Sequence, residues 1–223
     1  MALDPFALIW KSLPLFFRGV AVTVQLFICA SALGIFLGIG FGILISKKMK
    51  RPLLSKMIGG VTFIVRAIPF FVQLLIAYFV VPDLLEINLS PFTASVVALG
   101  ICSSGYVAQF IRGGLDGIPI SHWEAALTLG YTRTQTLVKV IFPQAFRLAL
   151  PALNNELEAL LKSTAIVSSI GMLELTRIGM NVVSREMEPV PIYLAIACLY
   201  MCLSIVLNLI TKRIEKKVSY VNY

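Results

Sequence analysis

The chain has 223 residues, of which 58% are hydrophobic and 13% carry a formal charge. Soluble domains average about 25% charged residues, so the composition excludes an ordinary soluble protein and predicts an integral membrane protein. The net charge of +8 does not indicate nucleic acid, because the lysines and arginines flank apolar runs. That arrangement is typical of membrane topology and of contact with anionic lipid.

The first predicted element is a short amphipathic segment over residues 1–18, in which Pro5 and Pro14 should limit helix. The uncharged stretch 20–45 follows and predicts the first membrane span. A dense basic cluster between residues 47 and 56 then places the next loop in the cytoplasm. Small residues recur every four positions within the span and permit close approach of another helix: Ala30, Gly34, Gly38 and Gly42.

The second and third predicted spans cover residues 57–81 and 91–111. Pro69 should kink or break span two. Arg66 lies far enough inside the span to favour an interior partner, and Gln73 follows seven positions later on the same helix face. The link between these spans has acidic residues but no Lys or Arg, which fits the outer side of the membrane.

A polar stretch then leads towards span four, and its first part predicts a short helix. Ser121 and Glu124 have the S-x-x-E spacing of a capping box, in which the hydroxyl and the carboxylate satisfy backbone N–H groups. Ala125 and Ala126 favour helix, and Gly130 supplies a C-terminal stop.

A second short helix is predicted immediately afterwards. Thr132 and Gln135 read as another capping box, and we expect this helix to stop before Pro143. Two short helices joined at a glycine predict an exposed cytoplasmic loop over residues 121–143. Such a loop between membrane spans suits docking better than catalysis.

The fourth predicted span, 148–170, contains an unusual set of polar groups: Asn154, Asn155, Glu156, Glu158 and Lys162. Each ionised group near the centre of a lone helix costs about 2.5–3.5 kcal/mol on insertion scales, so these groups must face one another, water or a ligand. Glu158 and Lys162 have the i,i+4 spacing of a pair. On a regular helix Glu156 faces away from Glu158, unless the helix breaks near Pro151, and both glutamates remain candidates.

The fifth predicted span covers residues 190–211, and a basic cluster follows it. With segment 171–189 outside, the N-terminus is outside and the C-terminus is cytoplasmic, because the basic residues concentrate in the cytoplasmic segments. The sequence therefore predicts an all-α, polytopic bundle of five transmembrane helices in a single domain, 1–223. Free, buried thiols are expected at all four cysteines: Cys29, Cys102, Cys198 and Cys202.

Several chemistries are absent from the sequence. It has no G-x4-G-K-[ST] loop for nucleotide phosphates and no H-E-x-x-H zinc motif. His122 is the only histidine, so a Ser–His–Asp enzyme in a membrane setting is not indicated. We predict a protein that is not an enzyme and that holds no metal or cofactor.

The loop motif carries a family resemblance. It resembles the EAA loop of ABC-transporter permease subunits through Glu124-Ala125-Ala126, Gly130, Ile141 and Pro143. Flanking pieces are similar to the branch of that family that imports polar amino acids: Arg112-Gly113-Gly114-Leu115, Asn155-Glu156 and Leu161-Lys162-Ser163-Thr164.

The resemblance implies a permease of the bacterial inner membrane. Two such chains, identical or related, would form the pathway. A separate subunit would bind ATP and dock on the loop, and a soluble binding protein would deliver the substrate. The ATPase-coupling residues would be Ser121, Glu124, Ala125, Ala126 and Gly130.

Binding of an amino-acid substrate would explain why spans two and four contain charged groups. Its carboxylate needs a cation, which Arg66 or Lys162 supplies, and its ammonium needs an anion, which Glu156 or Glu158 supplies. Two glutamates favour a basic amino acid such as arginine. The candidate substrate-binding residues are Asn155, Glu156, Glu158, Lys162, Arg66 and Gln73.

The alternative is a secondary transporter or ion channel that uses the same intramembrane charges as a proton or ion path. Five spans do not divide into the inverted repeats of such folds, and the sequence has no evident internal repeat. The first interpretation is therefore preferred.

Overall fold

The structure, a computed structural model, describes residues 5–49 and 52–219. Within those residues the chain is helical and has no strand, which confirms the all-α class. The helices are α1 (Pro5–Ile45), α2 (Pro52–Ala67), α3 (Phe70–Leu85), α4 (Pro91–Gly117), α5 (Ile120–Thr128), α6 (Arg133–Ile170), α7 (Leu175–Glu186) and α8 (Pro189–Ser219).

Four of these helices are long and apolar enough to cross a membrane: α1, α4, α6 and α8. Helices α2 and α3 supply a fifth span if the broken pair counts as one. The break falls between them at Ile68 and Pro69, as the proline predicts. Every predicted span lies on one of these helices or on the broken pair, while the count of five spans in one domain stays a prediction.

Two helices continue through prolines that were predicted to limit or end a helix. Helix α1 begins at Pro5 and contains Pro14, so the prediction of limited helix there is wrong. Proline suits the first turn of a helix, where its missing N–H has no partner to lose. Helix α6 likewise does not stop before Pro143 and does not break at Pro151. A wide π-type turn, Thr136–Ile141, precedes Pro143, and a widened turn relieves the clash that proline makes with the preceding carbonyl.

The described residues form two compact units. The first unit contains residues 5–32, 69–100 and 158–209, and the second contains residues 33–49, 52–68, 101–157 and 210–219. The described parts of the segments predicted to be cytoplasmic fall in the second unit, and those of the segments predicted to lie outside fall in the first.

Two apolar clusters hold the first unit together. One cluster joins α1, α3, α4 and α6 through Leu26, Leu74, Leu99, Leu160 and Val167. The other joins α1, α7 and α8 through Leu8, Phe16, Leu175, Val182 and Ile192. Helix α7, in the segment between spans four and five, is therefore part of a packed core.

One apolar cluster organises the second unit. It contains Val107, Ile111, Trp123, Ile141 and Ala145 from helices α4, α5 and α6. Helix α1 packs against it where its small-residue stripe allows close approach, because a Cβ at Gly38 would lie 2.5 Å from the Val107 side chain. All four stripe residues are buried, as a helix-packing face requires: Ala30, Gly34, Gly38 and Gly42.

None of the four cysteines, which all lie in the described part of the chain, forms a disulfide, but their predicted burial is wrong at three positions. Cys29, Cys198 and Cys202 are exposed on the single chain, and Cys102 is half-buried. The exposed thiols lie on faces of α1 and α8 that also expose large apolar side chains. An apolar sequence context therefore did not imply burial within this chain.

Candidate functional site

Helix α5 is held by one face only. Trp123, 8% exposed, and Ala126, 4% exposed, enter the core of the second unit. His122 contacts Gln144 of α6, with 2.9 Å between Nδ1 and Oε1. Because positions three apart share a helix face, the opposite face remains at the surface. It presents Ser121, Glu124, Ala125, Leu127 and Thr128.

The start of α5 differs from the prediction. Pro119 occupies the N-cap position, and no side chain caps the helix. The predicted capping box of Ser121 and Glu124 is therefore wrong. Ile120 is already helical, so Ser121 lies two positions after the N-cap and its hydroxyl cannot act as the cap.

The end of α5 follows the prediction. Gly130 has φ +84°, its N–H donates to the Leu127 carbonyl at 3.0 Å, and the Tyr131 N–H donates to the Ala126 carbonyl at 3.2 Å. This pair of bonds is a Schellman motif, which needs a left-handed residue and so favours glycine. The Thr132–Gln135 capping box is confirmed as well, with both reciprocal hydrogen bonds formed.

A carboxylate that the sequence reasoning missed fixes the chain before α5. Asp116, near the end of α4, accepts hydrogen bonds from the Ser46 hydroxyl at 2.8 Å, the Lys47 N–H at 3.2 Å and Arg112 Nε at 3.4 Å. Lys48 Nζ also donates to the Ile118 carbonyl. We call these contacts the Asp116 latch, since they tie the loop after α1 to the segment that leads into α5.

A groove of about 340 Å³ lies beside α5. Lys47, Lys48 and Arg133 give it positive charge, and Glu124 is the one acidic residue in its lining. Apolar side chains complete the wall: Ile120, Trp123 and Leu127. The exposed face of α5 is therefore bordered by cations and by apolar surface, a composition that suits contact with another protein better than bond-making chemistry.

The predicted substrate-binding residues divide between the two units. Asn155, Glu156 and Arg66 belong to the second unit. Asn155 is exposed, Glu156 lies close to the Ser103 side chain, and Arg66 Nε donates to the Thr62 carbonyl at 3.2 Å. The two charged groups thus have neighbours on α4 and on α2.

The remaining predicted residues belong to the first unit: Gln73, Glu158 and Lys162. Lys162 Nζ lies 3.9 Å from Glu158 Oε2, as the i,i+4 spacing predicts. The lysine side chain is 65% exposed, so this ion pair is weak. Glu158 also accepts a 2.6 Å hydrogen bond from Asn208 of α8. Asn208 was missed, although an amide in an otherwise apolar span is a signal that sequence reasoning can use.

The two glutamates of α6 have different neighbours. Glu156 lies close to Ser103 of α4, whereas Glu158 contacts Asn208 and Lys162. This agrees with their expected opposite faces on an unbroken helix. Whether all six predicted residues serve one binding site stays a prediction.

Glu174 is a fully buried carboxylate that the sequence reasoning did not single out. It is the N-cap of α7 and accepts hydrogen bonds from the Arg177 N–H at 2.7 Å and the Thr176 N–H at 2.8 Å. The Tyr200 hydroxyl donates a third bond at 2.8 Å. Burial raises the pKa of Glu174, although these hydrogen bonds partly oppose the rise.

The fold and the candidate site define a polytopic all-α membrane protein with a short helix, α5, that has one exposed face. Residues 34–220 match the family described as "Binding-protein-dependent transport system inner membrane component". The chain belongs to this family of inner-membrane permeases.

Several amino-acid permeases are similar over nearly the whole chain. The glutamine transport system permease protein GlnP of Escherichia coli K12 is 31% identical over 219 residues, covering 94% of this chain and 95% of that protein. The arginine transport system permease protein ArtQ of Bacillus subtilis is 31% identical over 217 residues, covering 97% of this chain and 98% of that protein.

Solved structures share the fold. The crystal structure of an amino acid ABC transporter with histidines gives a TM-score of 0.85 at 32% identity, covering 97% of this chain and all of that chain. The inward-facing MetNI methionine ABC transporter gives a TM-score of 0.82 at 21% identity, covering 93% of this chain and 98% of that chain. The second likeness concerns the fold alone.

Proposed function

We propose that this chain is the transmembrane subunit of an ATP-driven ABC importer for polar amino acids. The observation that carries the proposal is α5, a short helix anchored by Trp123 and Ala126 with its other face exposed. It carries the EAA motif in a chain that belongs to the binding-protein-dependent permease family.

In the proposed mechanism, α5 receives the motion of a separate ATP-binding subunit. Ser121, Glu124 and Ala125 are exposed and form the contact face. Ala126 is buried, so its small side chain serves the close packing of α5 against the core. Gly130 fixes where the helix ends. Closure of the ATPase then moves α5 as a rigid body, and the Asp116 latch transmits that motion to the loop after α1.

The substrate chemistry rests on the charges of α2 and α6. Arg66 or Lys162 would bind the carboxylate of a polar amino acid, and Glu156 or Glu158 its ammonium group, with Asn155 and Gln73 adding polar contacts. The exposed Glu158–Lys162 pair is weak enough for a ligand to replace one partner. Two glutamates favour a basic amino acid such as arginine, and an arginine permease is among the similar proteins.

The proposal implies an assembly. A second permease chain, identical or related, completes the pathway, and a soluble binding protein delivers the substrate to the outer face. ATP stays with the partner subunit, and this chain holds no cofactor. The positions of the basic clusters support a cytoplasmic C-terminus and an N-terminus outside the bacterial inner membrane.

Uptake into reconstituted vesicles tests this function. The chain, its ATP-binding subunit and its binding protein are reconstituted, and uptake of radiolabelled arginine, glutamine and cystine is measured. We expect uptake that needs internal ATP and the binding protein and that vanadate stops, with arginine preferred. Uptake driven by a proton or sodium gradient without ATP would instead support a secondary transporter.

A further inference from the structure

A second groove, of about 400 Å³, lies in the first unit between faces of α1 and α7. Helix α1 contributes residues spaced three and four apart, which share one helix face: Leu15, Arg18 and Val22. Helix α7 contributes a matching face: Ile178, Asn181 and Arg185. Each helix therefore brings one arginine and aliphatic surface to the same groove.

The charge of this groove suits an anion. Arg18 is exposed and has no ion pair among residues 5–49 and 52–219. Arg185 donates through Nε to Glu186 at 2.8 Å. A guanidinium has five N–H donors, so the terminal nitrogens of Arg185 remain free to bind a second anion. Lys11 lies 3.9 Å from the same Glu186 carboxylate, so two cations face one anion there, and the local charge stays positive.

The position of Arg18 along α1 indicates its depth. It is the last charged residue before the uncharged stretch 20–45, so it lies where a membrane span meets the lipid headgroups. Trp10 and Phe17 of the same helix are 77% and 63% exposed, and exposed aromatic side chains are typical of this interface. Phosphate groups are concentrated at that depth, and acyl chains begin just below it.

We propose that this groove binds one anionic phospholipid of the phosphatidylglycerol type. Arg18 and Arg185 bind the phosphate, Asn181 contacts the glycerol headgroup, and the acyl chains lie on Leu15, Val22 and Ile178. Free inorganic phosphate would leave the aliphatic wall uncovered. The acidic surface of a soluble protein would contact mainly polar rim residues, whereas aliphatic side chains form most of this groove. The proposal is independent of the transported substrate.

Native mass spectrometry of the purified full-length chain tests the lipid site. Phosphatidylglycerol and phosphatidylcholine with identical acyl chains are supplied in equal amounts, and the lipid that stays bound is counted. We expect wild-type protein to retain the anionic lipid in excess. The double variant Arg18→Gln/Arg185→Gln should lower that excess about tenfold, because each arginine near a membrane surface strengthens binding of anionic lipid several-fold. Arg18→Lys/Arg185→Lys, which keeps the charge, should retain most of the excess.

Arg177→Gln is the matched control for the single variant Arg185→Gln, since each removes one charge from α7 but Arg177 does not line the groove. Equal retention of both lipids by wild-type protein would overturn the proposal, and so would an unchanged ratio in the double glutamine variant. An equal loss in Arg177→Gln and Arg185→Gln would show that the effect comes from general surface charge and not from the groove. Complete displacement of lipid by inorganic phosphate would make the groove a simple anion site. An unchanged lipid ratio with weakened capture of the soluble binding protein would assign the groove to protein docking.

Discussion

Helices α5 and α7 are both short and both lie between long apolar helices, but they are held in different ways. Helix α7 begins at Glu174, a buried carboxylate that accepts hydrogen bonds from its first turn and from Tyr200. Helix α5 begins at Pro119 with no side-chain cap. Its hold on the core of its own unit comes mainly from Trp123 and Ala126.

The difference teaches how one chain builds a fixed helix and an accessible one. A buried cap joins α7 to the core at its N-terminus, so α7 loses stability if that one residue is changed. Packing of a single face leaves α5 stable while its other face stays available to a partner. Substitutions in and around the two helices test this contrast.

Glu174→Ala should destabilise the protein most. The change removes an N-cap, worth about 0.5–2 kcal/mol, and leaves buried donors unpaired, at about 1–3 kcal/mol. We expect a total loss of about 2–4 kcal/mol, measured as a lower apparent melting temperature of the detergent-solubilised chain. Glu188→Ala, a neighbouring glutamate outside this network, is the control. Equal melting temperatures for the two variants would contradict the claim that the hydrogen bonds of Glu174 stabilise α7.

Gly130→Val should impair coupling while the complex still assembles. Valine must adopt φ +84°, which costs a non-glycine residue about 1–2 kcal/mol and shifts the end of α5. Uptake per ATP hydrolysed should fall about tenfold or more, measured in vesicles with the partner subunits. Gly130→Asn should retain more coupling, because asparagine tolerates left-handed backbone.

Gly40→Val controls for the Gly130 substitution. A Cβ at Gly40 of α1 meets nothing within 4 Å, so this variant should keep near-normal coupling. Unchanged uptake in Gly130→Val, or an equal loss in Gly40→Val, would count against a special role for the turn after α5.

Asp116→Ala should loosen the loop after α1 without unfolding α5. The variant loses three hydrogen bonds to a half-exposed carboxylate, at about 1–2 kcal/mol in total. Hydrogen exchange at the Lys47 amide should become faster, because that N–H donates to Asp116. Asp83→Ala, an exposed aspartate in the first unit, should leave this amide unchanged. Unaltered exchange in Asp116→Ala would mean that the latch does not hold the loop.

The smallest expected effect is a pH dependence at α7. Burial raises the pKa of Glu174 in the folded chain, so the folded state holds this proton more tightly than the unfolded state. Stability is therefore greatest at low pH and is lost as the pH rises through the raised pKa. The melting temperature of wild type relative to Glu174→Gln should decrease from pH 5 to pH 8. An increase over that range would show that the carboxylate is stabilised in its charged form.

The features that were predictable from sequence are local ones. The glycine stop at Gly130 and the Thr132–Gln135 box need only their immediate neighbours, and both formed. The Glu158–Lys162 pair follows from spacing on one helix. Within the described residues, the break at Pro69 and the helices long enough to span a membrane also follow from short stretches of sequence.

The features that escaped prediction depend on distant or cooperative structure. A π-type turn lets α6 pass Pro143, and no local rule signals it. The Ser121–Glu124 box failed because the helix begins at Ile120. Asp116 and Asn208 form hydrogen bonds with residues 70 and 50 positions away in sequence. The sequence alone does not indicate those contacts.

Crosslinking from α5 tests whether this helix contacts the ATP-binding subunit. A photoreactive benzoylphenylalanine replaces Ala125 on the exposed face, and the cell membrane fraction is irradiated with the ATP-binding subunit co-expressed. We expect a covalent adduct between this chain and that subunit. We expect no adduct when the probe replaces Val190, an exposed residue at the start of α8. Failure of position 125 to capture the ATPase, or equal capture from position 190, would contradict the assignment of α5 as the coupling helix.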